Sequence, residues 1–140
     1  MGTLDYFNSS PFRSLVGIEI TAADDGHAEG RLDLGEEHSS NDRNLVAQGG
    51  VTFTLADSVG GAAAVSKHGK PTPTIDFRID YVAPATEDLS ATGDVVRDGS
   101  ETSLVDVEVH DANDELVARG TGVYKTSDLP GDAPWDLGSE

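Results

Sequence analysis

The segment from Gly49 to Lys67 limits the fold more than any other part of the sequence, because it is the only long helix candidate in the chain. It consists almost wholly of small and apolar residues, and one charged side chain, Asp57, lies in its interior. Glycine and then proline follow in the HGKP sequence at 68–71, which is typical of a helix end. A helix that is apolar all round is buried on most of its surface. The segment therefore predicts a sheet curled around one helix, with a partner subunit closing the remaining gap.

The other patterned segments indicate one short helix and six strands. Serine as a cap and proline in the first turn open a helix at Ser10-Pro11, which we expect to end at Gly17. Asp25-Gly26 and Asp98-Gly99 are hairpin signals. Apolar and polar residues alternate, as they do in half-buried strands, at 18–21, 27–34, 74–81, 89–97, 103–110 and 116–124. Strands set beside one dominant helix predict an α+β domain with an antiparallel sheet.

One domain over residues 1–126 accounts for all these elements, since a chain of 140 residues suggests a single core. Residues 127–140 combine acids, proline and glycine, so we predict an acidic, disordered tail. Trp135 is unusual in such a tail. We interpret it as a loose tail residue, with docking on a subunit surface as the alternative.

The charge balance excludes several partners. Aspartate and glutamate total 26 against 9 lysines and arginines, a formal net charge of -17. Nucleic acid and anionic membrane surfaces both need a basic face, so neither is an expected partner. Acids spread along the whole chain are typical of a halophilic archaeon, whose internal salt screens them. No apolar run predicts a membrane span and the N-terminus does not resemble a signal peptide, so we expect a cytoplasmic protein.

Asp57 is the first candidate functional residue. A buried, unpaired carboxylate is costly, and Gly60 and Gly61 beside it on the helix are poor helix formers. Two such penalties on one face suggest that another backbone or a ligand approaches there closely. The structural alternative is that Asp57 bonds a neighbouring loop and that the glycines pack against another helix.

The start of the helix is the second candidate. Gln48-Gly49-Gly50 precedes the apolar run, and free N–H groups at a helix N-terminus favour negative charge. Glycines allow a carbonyl group to come close to these amides, as in an oxyanion hole. Asp57 lies two turns further on, roughly 10 Å along the axis, too far to serve the same carbonyl within one chain. A symmetric dimer with antiparallel helices could bring Asp57 near Gly50 of the partner subunit.

These residues resemble a known family. Gln48-Gly49-Gly50-Val51, Leu55-Ala56-Asp57 and Gly60-Gly61-Ala62 are similar to the helix motif of hotdog-fold acyl-CoA thioesterases of the phenylacetate-degradation type, and the strand at 74–85 also matches. The resemblance implies an antiparallel sheet of five or six strands wrapped around the helix. It also implies a homodimer or a dimer of dimers, with an active site between subunits.

The same resemblance assigns roles to residues. Asp57 would act as nucleophile or as general base for water, the Gly49 and Gly50 amides would polarise the thioester carbonyl, and Thr74 would help to orient water. The family usually has histidine where this chain has Gln48, which can donate a hydrogen bond but supplies no proton. The family's loop asparagine falls on Asp42, so we assign its role to Asn44, with Asn41 as the alternative.

Coenzyme A would be bound as part of the acyl-CoA substrate, and no separate cofactor or metal is expected. The four histidines have no zinc-like spacing. The candidates for holding the coenzyme A phosphates are the basic residues Lys67, Lys70, Arg78 and Arg43, although for each of them we favour the interpretation of a solvated surface residue. The alternative functions are a binding protein without turnover, on the ground that Gln48 marks lost catalysis, and a hydratase, which ranks last because no histidine lies beside the helix start.

Overall fold

A long helix lies against one face of a six-stranded antiparallel sheet in the computed structural model, which describes residues 2–135. The sheet order is β1-β2-β4-β5-β6-β3. The helices and strands, in chain order, are α1 (Thr3–Asn8), α2 (Pro11–Val16), β1 (Ile18–Asp24), β2 (His27–Leu32), α3 (Gly49–His68), β3 (Thr74–Tyr81), β4 (Leu89–Asp98), β5 (Thr102–Asp111) and β6 (Leu116–Lys125). This is the hotdog arrangement that the sequence predicted.

The sequence signals for element ends act as expected. Ser10 accepts a hydrogen bond from the backbone N–H of Arg13 and so caps α2, which ends at Gly17 in the left-handed conformation. Gly69 likewise ends α3 with a φ of 68°. Asp25 and Gly26 both have positive φ, as the tight turn between β1 and β2 requires. Helix α1 was not predicted, because six residues carry too little periodicity to identify a helix.

The core lies between α3 and the concave side of the sheet. The second half of α3 is almost wholly buried, from Ser58 to Val65, and its small side chains let the strands come close. The first half is less covered, and Asp57 lies at the transition with an intermediate exposure. Among the described helices, none is long and apolar enough to cross a membrane.

Strand β3 is an edge strand, since β6 is its only neighbour in the sheet among residues 2–135. Several apolar side chains of this strand and of the residue after it are exposed to solvent. More than half of the surface is exposed at Ile75, Tyr81 and Val82. An edge with unpaired backbone groups and apolar side chains is a template for pairing with another chain. It therefore differs from the interior strands β4, β5 and β6, which alternate buried and exposed residues over most of their lengths.

Candidate active site

Two hydroxyl groups hold the carboxylate of Asp57. Thr74 Oγ1 donates to Asp57 Oδ1 at 2.9 Å, and Tyr124 Oη lies 3.0 Å from the same oxygen. Tyr124 Oη is also 3.0 Å from the backbone carbonyl oxygen of Asp57, so its single proton is shared between two acceptors. The second carboxylate oxygen, Oδ2, makes no hydrogen bond to the described residues. Asp57 is thus fixed in position with one oxygen left for a ligand or water.

The sheet register explains why these two hydroxyls meet. Thr74 and Tyr124 are opposite one another where β3 pairs with β6, and the register shifts between Thr74 and Asp76. A bulge of this kind redirects side chains at the end of a strand. Burial and the nearby Asp57 charge hold the pKa of Tyr124 well above its usual range, so its hydroxyl stays protonated as a donor. The structure places Thr74 in contact with Asp57, and its role in orienting water stays a prediction. Tyr124 was not anticipated.

Gly60 and Gly61 face aromatic side chains of the same chain. A Cβ atom at Gly60 would lie 3.1 Å from Tyr124 Cζ and closer still to its hydroxyl, and one at Gly61 would lie 3.5 Å from Phe7 Cζ. The sequence predicted a close approach on this face but attributed it to a backbone or a ligand. At Gly60 the approaching group is instead the phenol ring that also holds Asp57, whereas Gly61 lies at the wall of a cavity.

A cavity of about 320 Å³ opens beside Asp57. Its acidic and basic lining residues, within residues 2–135, are Asp57 and Arg13 alone, and the other lining residues include Tyr6, Phe7 and Thr72. Trp135 also lines it and is 47% exposed. The structure thus places Trp135 at the wall of the same cavity as Asp57, whereas the sequence had suggested a loose residue. Residues 127–134 hold no helix or strand, disorder of the tail stays a prediction, and residues 136–140 lie outside the described residues.

The start of α3 forms a second, separate cluster. Gln48 caps the helix, and its Oε1 accepts a hydrogen bond from the Gly49 N–H at 2.6 Å. The Gly50 N–H has no hydrogen bond to the described residues, and a Cβ at Gly50 would meet no atom within 4 Å. Of the two amides predicted to bind an oxyanion, Gly49 is therefore engaged internally and Gly50 is open. Tyr81 Oη donates to the Gly49 carbonyl at 2.7 Å and so braces this turn.

The loop before α3 is organised by its own side chains. Asn41 Oδ1 accepts from the backbone N–H groups of Arg43 and Asn44, both at 2.9 Å, so Asn41 shapes a turn. Asn44 is exposed, and its carbonyl accepts from Ser39 Oγ at 3.0 Å. This leaves the Asn44 side chain without a structural hydrogen bond among the described residues, whereas Asn41 is committed to the loop.

Three of the four basic residues considered for coenzyme A already have acidic neighbours. Lys67 Nζ is 3.1 Å from Asp25, and Lys70 Nζ is 2.7 Å from Asp128. Arg78 is 3.3 Å from Asp80. Arg43 alone of the four has no ion pair within residues 2–135, and it lies in the loop before the open Gly50 amide. The ion pairs of Lys67, Lys70 and Arg78 are exposed and therefore weak, and they exchange readily with solvent or a phosphate.

Comparison with known proteins identifies the family. Residues 46–118 match the family model described as the Thioesterase superfamily, which covers more than half of the chain. The chain therefore belongs to the thioesterase superfamily. The matched span contains Gln48, Gly50, Asp57 and Thr74, and it excludes both Arg13 and Tyr124.

Individual relatives agree with this assignment. A Halobacterium salinarum protein named "Putative esterase" is 31% identical over 133 residues, covering 86% of this chain and 87% of the relative. A mutant of the phenylacetic acid degradation protein PaaI from Thermus thermophilus is 27% identical, with a TM-score of 0.74 over 83% of this chain and 99% of that one. A Streptococcus mutans protein solved with bound acetyl CoA is 25% identical, with a TM-score of 0.71 over 78% of this chain and 87% of that one.

Proposed function

We propose that the protein is an acyl-CoA thioesterase of the phenylacetate-degradation type, with Asp57 as its nucleophile or general base. The observation that carries this proposal is the held carboxylate at the wall of a ligand-sized cavity, with Oδ1 fixed by Thr74 and Tyr124 and Oδ2 open. The family assignment supports thioester chemistry. The acetyl CoA bound to the Streptococcus mutans relative supports the coenzyme A part of the substrate.

The proposed hydrolysis uses only the thioester, one water molecule and groups of the protein. In the general-base route, a water oxygen attacks the thioester carbonyl carbon while Asp57 takes the water proton. The carbon–sulfur bond then breaks, giving the free acid and the coenzyme A thiolate, which takes up the proton. Negative charge on the carbonyl oxygen would be stabilised by the open Gly50 amide at the positive end of α3 and by the remaining N–H donors of Gln48 and Asn44. In the nucleophilic route, the Asp57 carboxylate attacks the carbonyl carbon, and the carbon–sulfur bond breaks to release the coenzyme A thiolate. Water then hydrolyses the resulting anhydride, which regenerates Asp57 and gives the free acid, and the proton released goes to the thiolate.

In the proposed mechanism, Asp57 and the oxyanion-binding groups at the start of α3 come from different subunits. Asp57 and Gly50 lie roughly 10 Å apart on one helix, and the cavity beside Asp57 does not include Gly50. A two-fold pairing of antiparallel helices would place Asp57 of one protomer near the partner's Gly50. The exposed edge of β3, with Ile75 and Tyr81 on its surface, provides a surface for such pairing.

Sedimentation equilibrium at micromolar concentration and high salt checks the subunit requirement. We expect a mass of two or four chains, because the β3 edge and its apolar residues would be covered. A single-chain mass together with full thioesterase activity would contradict the arrangement across two subunits, while leaving the role of Asp57 open to separate measurement.

Release of free thiol from a panel of acyl-CoAs tests the activity itself. The panel should include short aliphatic, aromatic, long-chain and carboxylate-ended acyl groups, and the assay should be run at high salt, which the net charge of -17 favours. We expect thiol release well above the buffer rate for at least one class. Absence of release with every class would refute the enzyme proposal.

A ligand-binding protein without turnover is the second candidate. It is favoured by one observation, namely that Gln48 occupies the Gly49 amide at 2.6 Å and so reduces the donors available to an oxyanion. Calorimetric binding of the same acyl-CoAs without thiol release would support it. We keep the cytoplasmic location and the halophilic archaeal origin as predictions that accompany either candidate.

A further inference from the structure

Arg13 is a partly buried cation with donors that the protein itself does not use. Its Nε donates to Ser58 Oγ at 2.9 Å, and its Cζ lies 4.4 Å from the centroid of the Phe7 ring. The two terminal NH₂ groups make no hydrogen bond or ion pair with any residue from 2 to 135. Burial lowers the pKa of Arg13, and the opposing effects of Tyr6, Asp57 and Tyr124 do not cancel this.

The fold holds this guanidinium at the cavity beside Asp57. Arg13 lies in the short helix α2, which Ser10 caps and Gly17 ends. Its bond to Ser58 fixes it to the residue that directly follows Asp57 in α3. Even so, Arg13 and Asp57 form no ion pair within 4.0 Å, and they are the two oppositely charged residues of the cavity lining. The cavity thus has a cation at one place in its wall and the reactive carboxylate at another.

The rest of the wall offers aromatic surface and one more unused polar group. Tyr6, Phe7 and Trp135 contribute rings. Thr72 also lines the cavity; its Oγ1 is buried and has no hydrogen-bond partner in the described chain. Buried polar atoms are nearly always satisfied, and an unsatisfied one calls for an explanation such as a bound ligand or water. After a rotation of its side chain, the Thr72 hydroxyl could serve a ligand oxygen.

We propose that this cavity is the acyl-group pocket and that Arg13 selects acyl groups ending in a carboxylate, that is, monothioesters of short dicarboxylic acids. The inference rests on the proposed thioesterase function and adds its substrate class. A guanidinium presents paired donors that match a carboxylate, and an aliphatic acyl end offers those donors no acceptor. In a chain with a net charge of -17, an anionic acyl end needs such a local cation to be held near Asp57.

A matched pair of substrates tests the inference. Glutaryl-CoA ends in a carboxylate, and 5-methylhexanoyl-CoA ends in an isopropyl group of nearly the same shape. We expect the wild-type kcat/KM to favour glutaryl-CoA by at least about 10-fold, because a site built for a polar group discriminates against an isostere that lacks it. Arg13→Gln should lower kcat/KM for glutaryl-CoA at least about 10-fold more than for 5-methylhexanoyl-CoA, mainly through KM.

Two further variants separate recognition from structural support. Arg13→Lys keeps the charge but loses the paired donors, so it should retain part of the preference for glutaryl-CoA. Arg119→Gln removes an equal charge from an exposed position on β6 and should leave the ratio of the two substrates as in the wild type. An equal loss with both substrates in Arg13→Gln would mean that Arg13 only anchors α2, and would overturn the inference.

The experiment also distinguishes failure of the inference from failure of the proposed function. Hydrolysis of 5-methylhexanoyl-CoA with equal or higher kcat/KM would refute carboxylate selection and keep the thioesterase. If neither substrate releases thiol, the dissociation constants measured by calorimetry still decide. Tighter binding of glutaryl-CoA that Arg13→Gln abolishes would support the pocket assignment in a protein that binds without turnover, and equal binding would overturn it.

Discussion

Replacing Asp57 with asparagine should lower kcat for thioester hydrolysis by about 10³-fold, the range in which a lost general base falls. Asparagine has nearly the same shape, and its Oδ1 can still accept the hydrogen bonds of Thr74 and Tyr124. The amide can neither take a proton from water nor attack the thioester. We therefore expect the fold and the oligomer to persist while turnover is lost, as measured by thiol release beside a thermal melt.

Asp33→Asn is the matched control for this variant. Asp33 is exposed, and its side chain makes no hydrogen bond to the described residues, so the same loss of one negative charge occurs outside the site. Its kcat should equal that of the wild type. Unchanged turnover in Asp57→Asn would discard both the nucleophilic and the general-base role. A fall of equal size in both variants would trace the effect to overall charge.

Gly60→Ala should destabilise the protein, while Gly61→Ala one position further should not. A methyl group at Gly60 would overlap the Tyr124 phenol and lie 3.3 Å from Val107 Cγ2. Overpacking of this kind costs about 1–3 kcal/mol, against a helix-propensity gain of about 0.5–1 kcal/mol. At Gly61 the same methyl makes ordinary contacts at 3.5 Å, so the propensity gain remains. Chemical denaturation of both variants measures the difference.

The two glycine variants should also differ in activity. Displacing Tyr124 removes a donor from Asp57 Oδ1, so Gly60→Ala should lower kcat as well as the midpoint of unfolding. Gly61→Ala leaves the Tyr124 hydroxyl in place, so it should lower kcat less than Gly60→Ala does. Equal stability of the two variants would show that Tyr124 moves aside without cost, and would contradict the close packing of β6 on α3.

Local signals in the sequence predicted most of the fold. The HGKP end of α3, the Ser10-Pro11 start of α2 and the two Asp-Gly turns each specify the backbone over a few residues, and all four were confirmed. Helix α1 was missed because its six residues are held by packing of Phe7 on the core rather than by their own pattern.

The candidate site was predicted less completely, because its contacts join distant parts of the chain. Tyr124 is 67 positions from Asp57, and Arg13 is 45 positions from Ser58. One signal for Tyr124 did exist. One face of β6 carries two glycines followed by a large side chain, namely Gly120, Gly122 and Tyr124. A large side chain on this strand complements the space left by the paired glycines of α3. The sequence showed that α3 has no side chains at Gly60 and Gly61, but it did not show which aromatic ring fills the space beside them.

The contact between Tyr124 and α3 couples two properties that are usually selected separately. The Tyr124 phenol fills the groove left by Gly60 and positions the Asp57 carboxylate. Its ring therefore contributes to the stability of the fold, and its hydroxyl contributes to the geometry of the site. Random libraries screened for heat resistance often improve helices by exchanging glycine for alanine. In this fold, the same exchange at position 60 would displace the phenol and lower both heat resistance and turnover, so selection for either property would retain glycine at that residue.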